Sequence, residues 1–251
     1  MPRQTVGRQA DPAASRTSRQ EHYRVRYREL RPGWRDCLAV YRTLVEEHVR
    51  SGCAVLDLGC GHASWLAPEL RAAGLVVGAD PDLPALRHYT AASHRVAAVA
   101  DHLPFRDASF DLVVCAFVFE HLATPAAALT EIRRVLRPGG RLVFLTPNAW
   151  NYNVWLIRLV PNRFHHFFTR RLYDRRDRDT YPVRYRMNTR TRLRRALSAA
   201  GFRSVDILLN GDPTYLGVNG LLFTVSLVIE LALDQPPLRR LRVHLIGTAR
   251  L

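Results

Sequence analysis

The sequence contains no lysine: all 37 of its basic residues are arginine. That absence excludes a P-loop, whose glycine-rich turn needs a lysine to reach the outer phosphates of a nucleotide. Cysteine is scarce as well. The four present, Cys37, Cys53, Cys60 and Cys115, lack the paired spacing of zinc ligands, and no H-x-x-x-H pair supplements them, so no metal is expected. Three of the four fall in or beside strand-like apolar runs, which reads as buried, reduced thiols in a cytoplasmic protein. Acids are few, with 22 Asp and Glu giving a formal net charge of +15. Such a surface suits nucleic acid, anionic headgroups or phosphorylated substrates, or is simply a solvated arginine coat. No secretory signal and no internal repeat is found.

The 251 residues suffice for one α/β domain with a sizeable core and some excursions, and not for a second full domain. Residues 1–20, rich in Arg, Gln, Ser, Pro and Ala without apolar periodicity, read as a disordered leader ahead of a single domain over 21–251. Apolar residues at helical spacing follow over 34–49. The run from Cys53 to Trp65 then reads as strand, tight turn and helix. Gly59 and Gly61 carry no Cβ, so an adenosine-containing cofactor can lie against the main chain beside a helix N-terminus. Position 64 is serine where a dinucleotide fingerprint needs a third glycine, which disfavours pyrophosphate.

Further strands are expected at 75–80, 96–100, 110–117, 141–146, 205–209 and 243–248, with helices at 64–73, 83–92, 125–136 and 189–200. This alternation predicts an α/β fold with a doubly wound, seven-stranded, mostly parallel sheet. Asp57, Asp80 and Asp101 end the first three predicted strands and line one crevice beyond their carboxyl ends. Taken singly, each is equally a helix cap.

The stretch Asp57-Leu58-Gly59-Cys60-Gly61 resembles motif I of the class I S-adenosylmethionine (AdoMet) methyltransferases. Residues 101–111, then Phe119-Glu120-His121-Leu122 and Arg134-Val135-Leu136-Arg137-Pro138-Gly139-Gly140, resemble the type 11 group, to which ubiquinone, menaquinone and many natural-product methyltransferases are similar. The likeness is strong over roughly residues 50–148. It implies AdoMet as cofactor, the Rossmann-like methyltransferase fold, Asp80 on the ribose hydroxyls and Asp101 on the adenine amino group with Leu103 beside the ring. It also implies that Asp57 fixes the glycine turn and the methionine end. Cys60, Pro81, His102 and Phe117 complete the expected cofactor contacts. Later motifs, Thr146-Pro147-Asn148, Asp179-Thr180-Tyr181-Pro182 and Tyr185-Arg186-Met187-Asn188-Thr189, resemble a less characterised bacterial branch and leave the methyl acceptor open.

Residues 147–188 form an insert too long for an ordinary connection, crowded with aromatics and arginines, and read as a substrate cap. His121, just after the fourth strand, is the candidate base for an oxygen acceptor, with His165 and His166 behind it. A second insert, 211–240, holds a long uncharged segment. Two glycines, Asn219, Glu230 and its place between the last two strands argue against a membrane span. The segment 214–233 is expected to pack on its own domain or a second subunit, or to dip into a bilayer surface with Arg239, Arg240 and Arg242 near headgroups. The expected activity is methyl transfer to a small-molecule or lipid-linked acceptor at oxygen. A nucleic-acid methyltransferase is disfavoured, because Ala116-Phe117-Val118-Phe119 stands where exocyclic-amine enzymes carry Asn/Asp-Pro-Pro-Tyr/Phe, and there is no Pro-Cys nucleophile. A non-catalytic AdoMet-binding protein is the remaining alternative.

Overall fold

The computed structural model describes residues 12–62, 66–154, 181–217 and 219–251. Its centre is a seven-stranded sheet of order β3-β2-β1-β4-β5-β7-β6. Strands β1 (Ala54–Leu58), β2 (Leu75–Asp80) and β4 (Phe110–Ala116) are near-continuous apolar runs, the pattern of strands covered on both faces. They run parallel with β3 (His94–Ala97) and β5 (Leu136–Pro147). Strand β7 (His244–Arg250) lies antiparallel between β5 and β6 (Arg203–Asn210). Because β2 and β3 stack on one side of β1 and β4 on the other, strand order reverses between β1 and β4. That reversal opens a crevice at their carboxyl ends.

The period of two along each strand divides the core. Leu56, Val113, Phe144 and Leu245 face helices α4 (Pro125–Val135) and α5 (Arg190–Ala199), through Leu129, Ile132, Leu193 and Leu197. Their neighbours Val55, Val114, Val143 and Ile246 face α2 (Cys37–Glu46), through Tyr41 and Val45. Side-chain caps start α2, α5 and the short α3 (Leu83–His88): Asp36, Thr189 and Asp82 accept from Ala39, Arg192 and Ala85 N–H. Such a cap stabilises a helix by about 1 kcal/mol. All four cysteines are free thiols.

Several expectations change. Helix α1 covers Pro12–Leu30, so residues 12–20 are helical and the leader reading runs too far. Composition hid the reason: Tyr23 and Tyr27, four apart on one face, dock on Phe223 and Trp34, and the Tyr23 and Phe223 rings stack at 4.4 Å. Of the helix expected over 64–73, the described part is one 3-10 turn, Glu69–Ala72, between Pro68 and Gly74. Strand β3 ends at Ala97, leaving Asp101 in the following loop. Of the expected cap, residues 155–180 lie outside the described residues, as do His165 and His166.

The apolar insert is a 3-10 turn, Pro213–Leu216, followed by α6 (Gly220–Ala232). Helix α6 buries Phe223, Ser226 and Glu230. No described helix is long and apolar enough to cross a membrane. The Glu230 carboxylate accepts from Tyr152 Oη at 3.3 Å and from the Asp212 N–H at 3.2 Å. Burial, with the nearby Asp212 charge, pushes it up to about 7. Its ordinary value is 4.5, so between those values the folded chain holds a proton that the unfolded chain has released, and stability falls as pH rises through the window. Glu230→Gln keeps an acceptor oxygen without the charge. Thermal melts are expected to show a higher Tm for this variant at about pH 8, with the gain shrinking as the pH is lowered toward about 4.5. Equal gains at both ends would contradict the assignment.

Candidate active site

The turn after β1 is built on two left-handed residues, Gly59 at φ +71 and Gly61 at φ +54. A Cβ on Gly59 would also lie 2.1 Å from Val118 Cγ2, so any side chain there meets both backbone strain and a clash. Gly59 N–H donates to Ala79 O at 2.7 Å, and Gly61 N–H donates to Asp80 Oδ2 at 2.8 Å. Asp80 Oδ1 accepts from Asp82 N–H at 2.8 Å. Asp80, the last residue of β2, therefore holds the glycine turn through Gly61.

Asp57, buried in β1, is held by a residue that carried no motif. Tyr89 Oη donates to Asp57 Oδ2 at 2.5 Å. Gly78 makes this possible, since a Cβ there would lie 2.7 Å from the Tyr89 ring and 3.0 Å from Cys60 Sγ. A glycine inside an apolar strand is the signal that marks such a close approach. The Cys60 thiol points into the core beside Tyr89, and burial pushes it up, so only the main chain of Cys60 faces the turn. Burial lifts Asp57 to about 6, opposed by the Tyr89 hydrogen bond and assisted by the Asp80 charge. Burial also raises Asp80, against the pull of its backbone N–H partners.

The loop beyond β3 carries the next candidates. Asp101 is exposed and accepts from Thr124 Oγ1 at 2.7 Å, which ties it to the start of α4. Pro81 and His102 are exposed beside the two acids. Leu103 is buried in the core, and its N–H donates to Glu131 Oε2 at 2.8 Å. Arg134 holds the rest of the loop, donating to the Leu103 and Phe105 carbonyls and to Asp107 and Glu131. That hydrogen bond pulls Glu131 down to about 2. Glu131 and Arg134, three apart on α4, thus shape the loop, and their spacing was the available signal.

At the end of β4, Phe117 takes φ +58 and donates its N–H to Leu145 O at 2.8 Å. Glu120 is buried and accepts from Thr146 Oγ1 at 3.0 Å, while its carbonyl accepts from Arg184 and Tyr185 N–H. Asn188 reaches the same Thr146 hydroxyl at 2.6 Å. These bonds stitch residues 184–188 to the loop after β4. His121 Nδ1 lies 3.2 Å from Pro182 O. A carbonyl only accepts, so a hydrogen bond here has Nδ1–H as its donor. Nε2 is 3.9 Å from Glu120 Oε1, and the ring meets Tyr181 edge-on at 6.0 Å. Burial first, then the Asp80 and Asp82 charges, raise the Tyr181 hydroxyl.

Tyr89→Phe removes the hydrogen bond that favours ionised Asp57. Carboxyl-carbon NMR titration is expected to place the Asp57 midpoint about one unit or more above the wild-type value. An unmoved midpoint would show that Tyr89 does not hold this carboxylate.

The sequence of residues 56–144 matches a family model described as a methyltransferase domain. A demethylmenaquinone methyltransferase of Lactiplantibacillus plantarum is 44% identical over 119 residues, covering 41% of this chain and 49% of the relative. A ubiquinone biosynthesis O-methyltransferase of Sodalis glossinidius is 31% identical over 130 residues, covering 45% and 52%. The chain thus spans about half the length of the curated relatives it matches. Among solved structures, geranyl diphosphate C-methyltransferase of Streptomyces coelicolor shares the fold at a TM-score of 0.57 and 14% identity, over 84% of this chain and 80% of that one. Residues 56–144 are thus similar to the methyltransferase domain family, and the sheet order is that of the same fold.

Proposed function

We propose that this protein transfers the methyl group of AdoMet to a small-molecule or lipid-linked acceptor, at an oxygen atom. One observation carries the cofactor reading. In a chain with 37 arginines, neither Asp57 nor Asp80 has an arginine partner among the described residues. With only His62 lending Asp80 positive charge among the described residues, two carboxylates at the switch point suit a ligand that brings more, and AdoMet carries a sulfonium and an ammonium group. Asp80, already fixed by two backbone N–H groups, keeps lone pairs for ribose hydroxyls. Asp101 is exposed for the adenine amino group. The buried Asp57 sets negative charge beneath the turn.

When bound, AdoMet supplies an electrophilic methyl group. The protein's part is to position the acceptor, exclude water and take up the acceptor's proton. His121 is the proposed base, with Nε2 as the nitrogen that receives the hydroxyl proton and Pro182 O holding the ring by Nδ1–H. The relatives named for ubiquinone and menaquinone support a small, lipid-linked acceptor, and one of them is named as an O-methyltransferase.

Gly59→Val and Asp80→Ala are expected to weaken AdoMet binding at least about tenfold by calorimetry while circular dichroism stays native. Unchanged affinity in both would sink the site. His121→Ala is expected to lower turnover and spare AdoMet affinity. The acceptor class is tested by transfer of labelled methyl into an extract of the native host, separated into lipid, polar metabolite and macromolecular fractions. Label in nucleic acid would replace the present reading with an RNA or DNA methyltransferase, and AdoMet binding without transfer to any fraction would leave a binding protein.

A further inference from the structure

Helix α6 is inside out. Its acid and its serine, Glu230 and Ser226, are buried with Phe223, while Leu221, Val225 and Val228 face solvent at 74%, 44% and 62% exposure. Leu231 at 56% and Leu222 at 38% flank that stripe. The inward polar groups are satisfied within the protein: Ser226 Oγ donates to a backbone carbonyl at 2.8 Å, and Glu230 accepts from Tyr152 and Asp212. The outward apolar row meets nothing that the inward side lacks. A contiguous row of this kind on a helix that has already packed its other side marks a surface for a partner.

We propose that the outward face of α6 docks the protein on the surface of an anionic lipid bilayer. Charge selects this occupant. Arg239 and Arg240 are exposed just beyond the helix, and the guanidinium of Arg240 lies 5.8 Å from the ring centroid of Trp150, itself 42% exposed. Tryptophan and arginine are the side chains that suit the headgroup layer, where one end of each is wet. Arg242 is not part of this rim, because it is bonded to Asp234 Oδ1 at 2.6 Å and to Leu209 O. A second copy of the chain would bring the same arginines and a net charge of +15 against one another, whereas anionic headgroups bring the opposite sign. Length agrees: 13 residues make a helix about 20 Å long, too short to cross and suited to lying in the interface. A groove of about 470 Å³ is lined by Trp150, Tyr152, Arg240 and Leu241, and Tyr152 is bonded to Glu230 of α6. It offers an apolar wall and one guanidinium to an amphiphile at the bilayer surface.

The test is co-sedimentation of the full chain with phosphatidylcholine vesicles, with and without about 30 mol % phosphatidylglycerol, at low and high salt. Binding to the anionic vesicles is expected, weakened by salt. It should fall at least tenfold in Leu221→Asp/Val228→Asp and several-fold in Arg239→Glu/Arg240→Glu. Calorimetric AdoMet affinity and circular dichroism, followed in parallel, are expected to stay unchanged in both variants, which separates failure of docking from failure of the cofactor site. Absence of vesicle binding by the wild type overturns the proposal. So does a wild-type dimer in sedimentation velocity that Leu221→Asp/Val228→Asp converts to monomer while vesicle binding persists.

Discussion

The cleft depends on one hydrogen bond between neighbouring strands, Gly61 N–H to the Asp80 carboxylate. It closes the turn after β1 onto the end of β2, at the point where the sheet reverses its order. Both partners are constrained. The turn needs a left-handed residue at 61, and the carboxylate needs the last position of β2, where the strand delivers it to the carboxyl edge. The second oxygen of Asp80 holds the Asp82 N–H, and Asp82 in turn caps α3. A single side chain thereby fixes turn, strand end and following helix together.

A second set of buried polar groups joins residues 184–188 to the loop after β4, as Asp80 joins the glycine turn to β2. Glu120, Thr146 and Asn188 come from three separate parts of the chain and meet beneath the loop after β4. Asn148 donates to the Arg240 and Arg242 carbonyls, tying the end of β5 to the approach to β7. Buried polar groups are costly unless fully paired, so such clusters tolerate few arrangements. They account for the motifs Thr146-Pro147-Asn148 and Asn188-Thr189 as joints between segments, without requiring that any of these residues touch a ligand.

The sheet and its glycine turn were legible because their signals are local: apolar runs of strand length, glycines where φ must be positive, acids at strand ends. The doubly wound, mostly parallel sheet and the likeness of residues 56–144 to a methyltransferase domain followed from the same features. Less legible were contacts set by three-dimensional closeness. Tyr89 meets Asp57 across 32 residues of sequence, and only Gly78, a gap inside an apolar strand, hinted at it. Helix α1 was missed because its polar composition outweighed two tyrosines whose partners lie far along the chain. The apolar insert was visible as apolar, but which of its faces would turn inward depended on Glu230 finding Tyr152 and Asp212.

The contact between Pro182 and His121 reaches further than its single hydrogen bond. A carbonyl has no proton to give, so across 61 positions of sequence it holds the imidazole through an N–H on Nδ1. Proline fixes its own φ and so narrows the directions in which that carbonyl can point. The placement of the ring is therefore tied to the main chain of residues 181–188. Displacing that segment would release the His121 ring with every side chain of the Glu-His-Leu motif still in place. Where this imidazole points is a property of how the chain is folded over it.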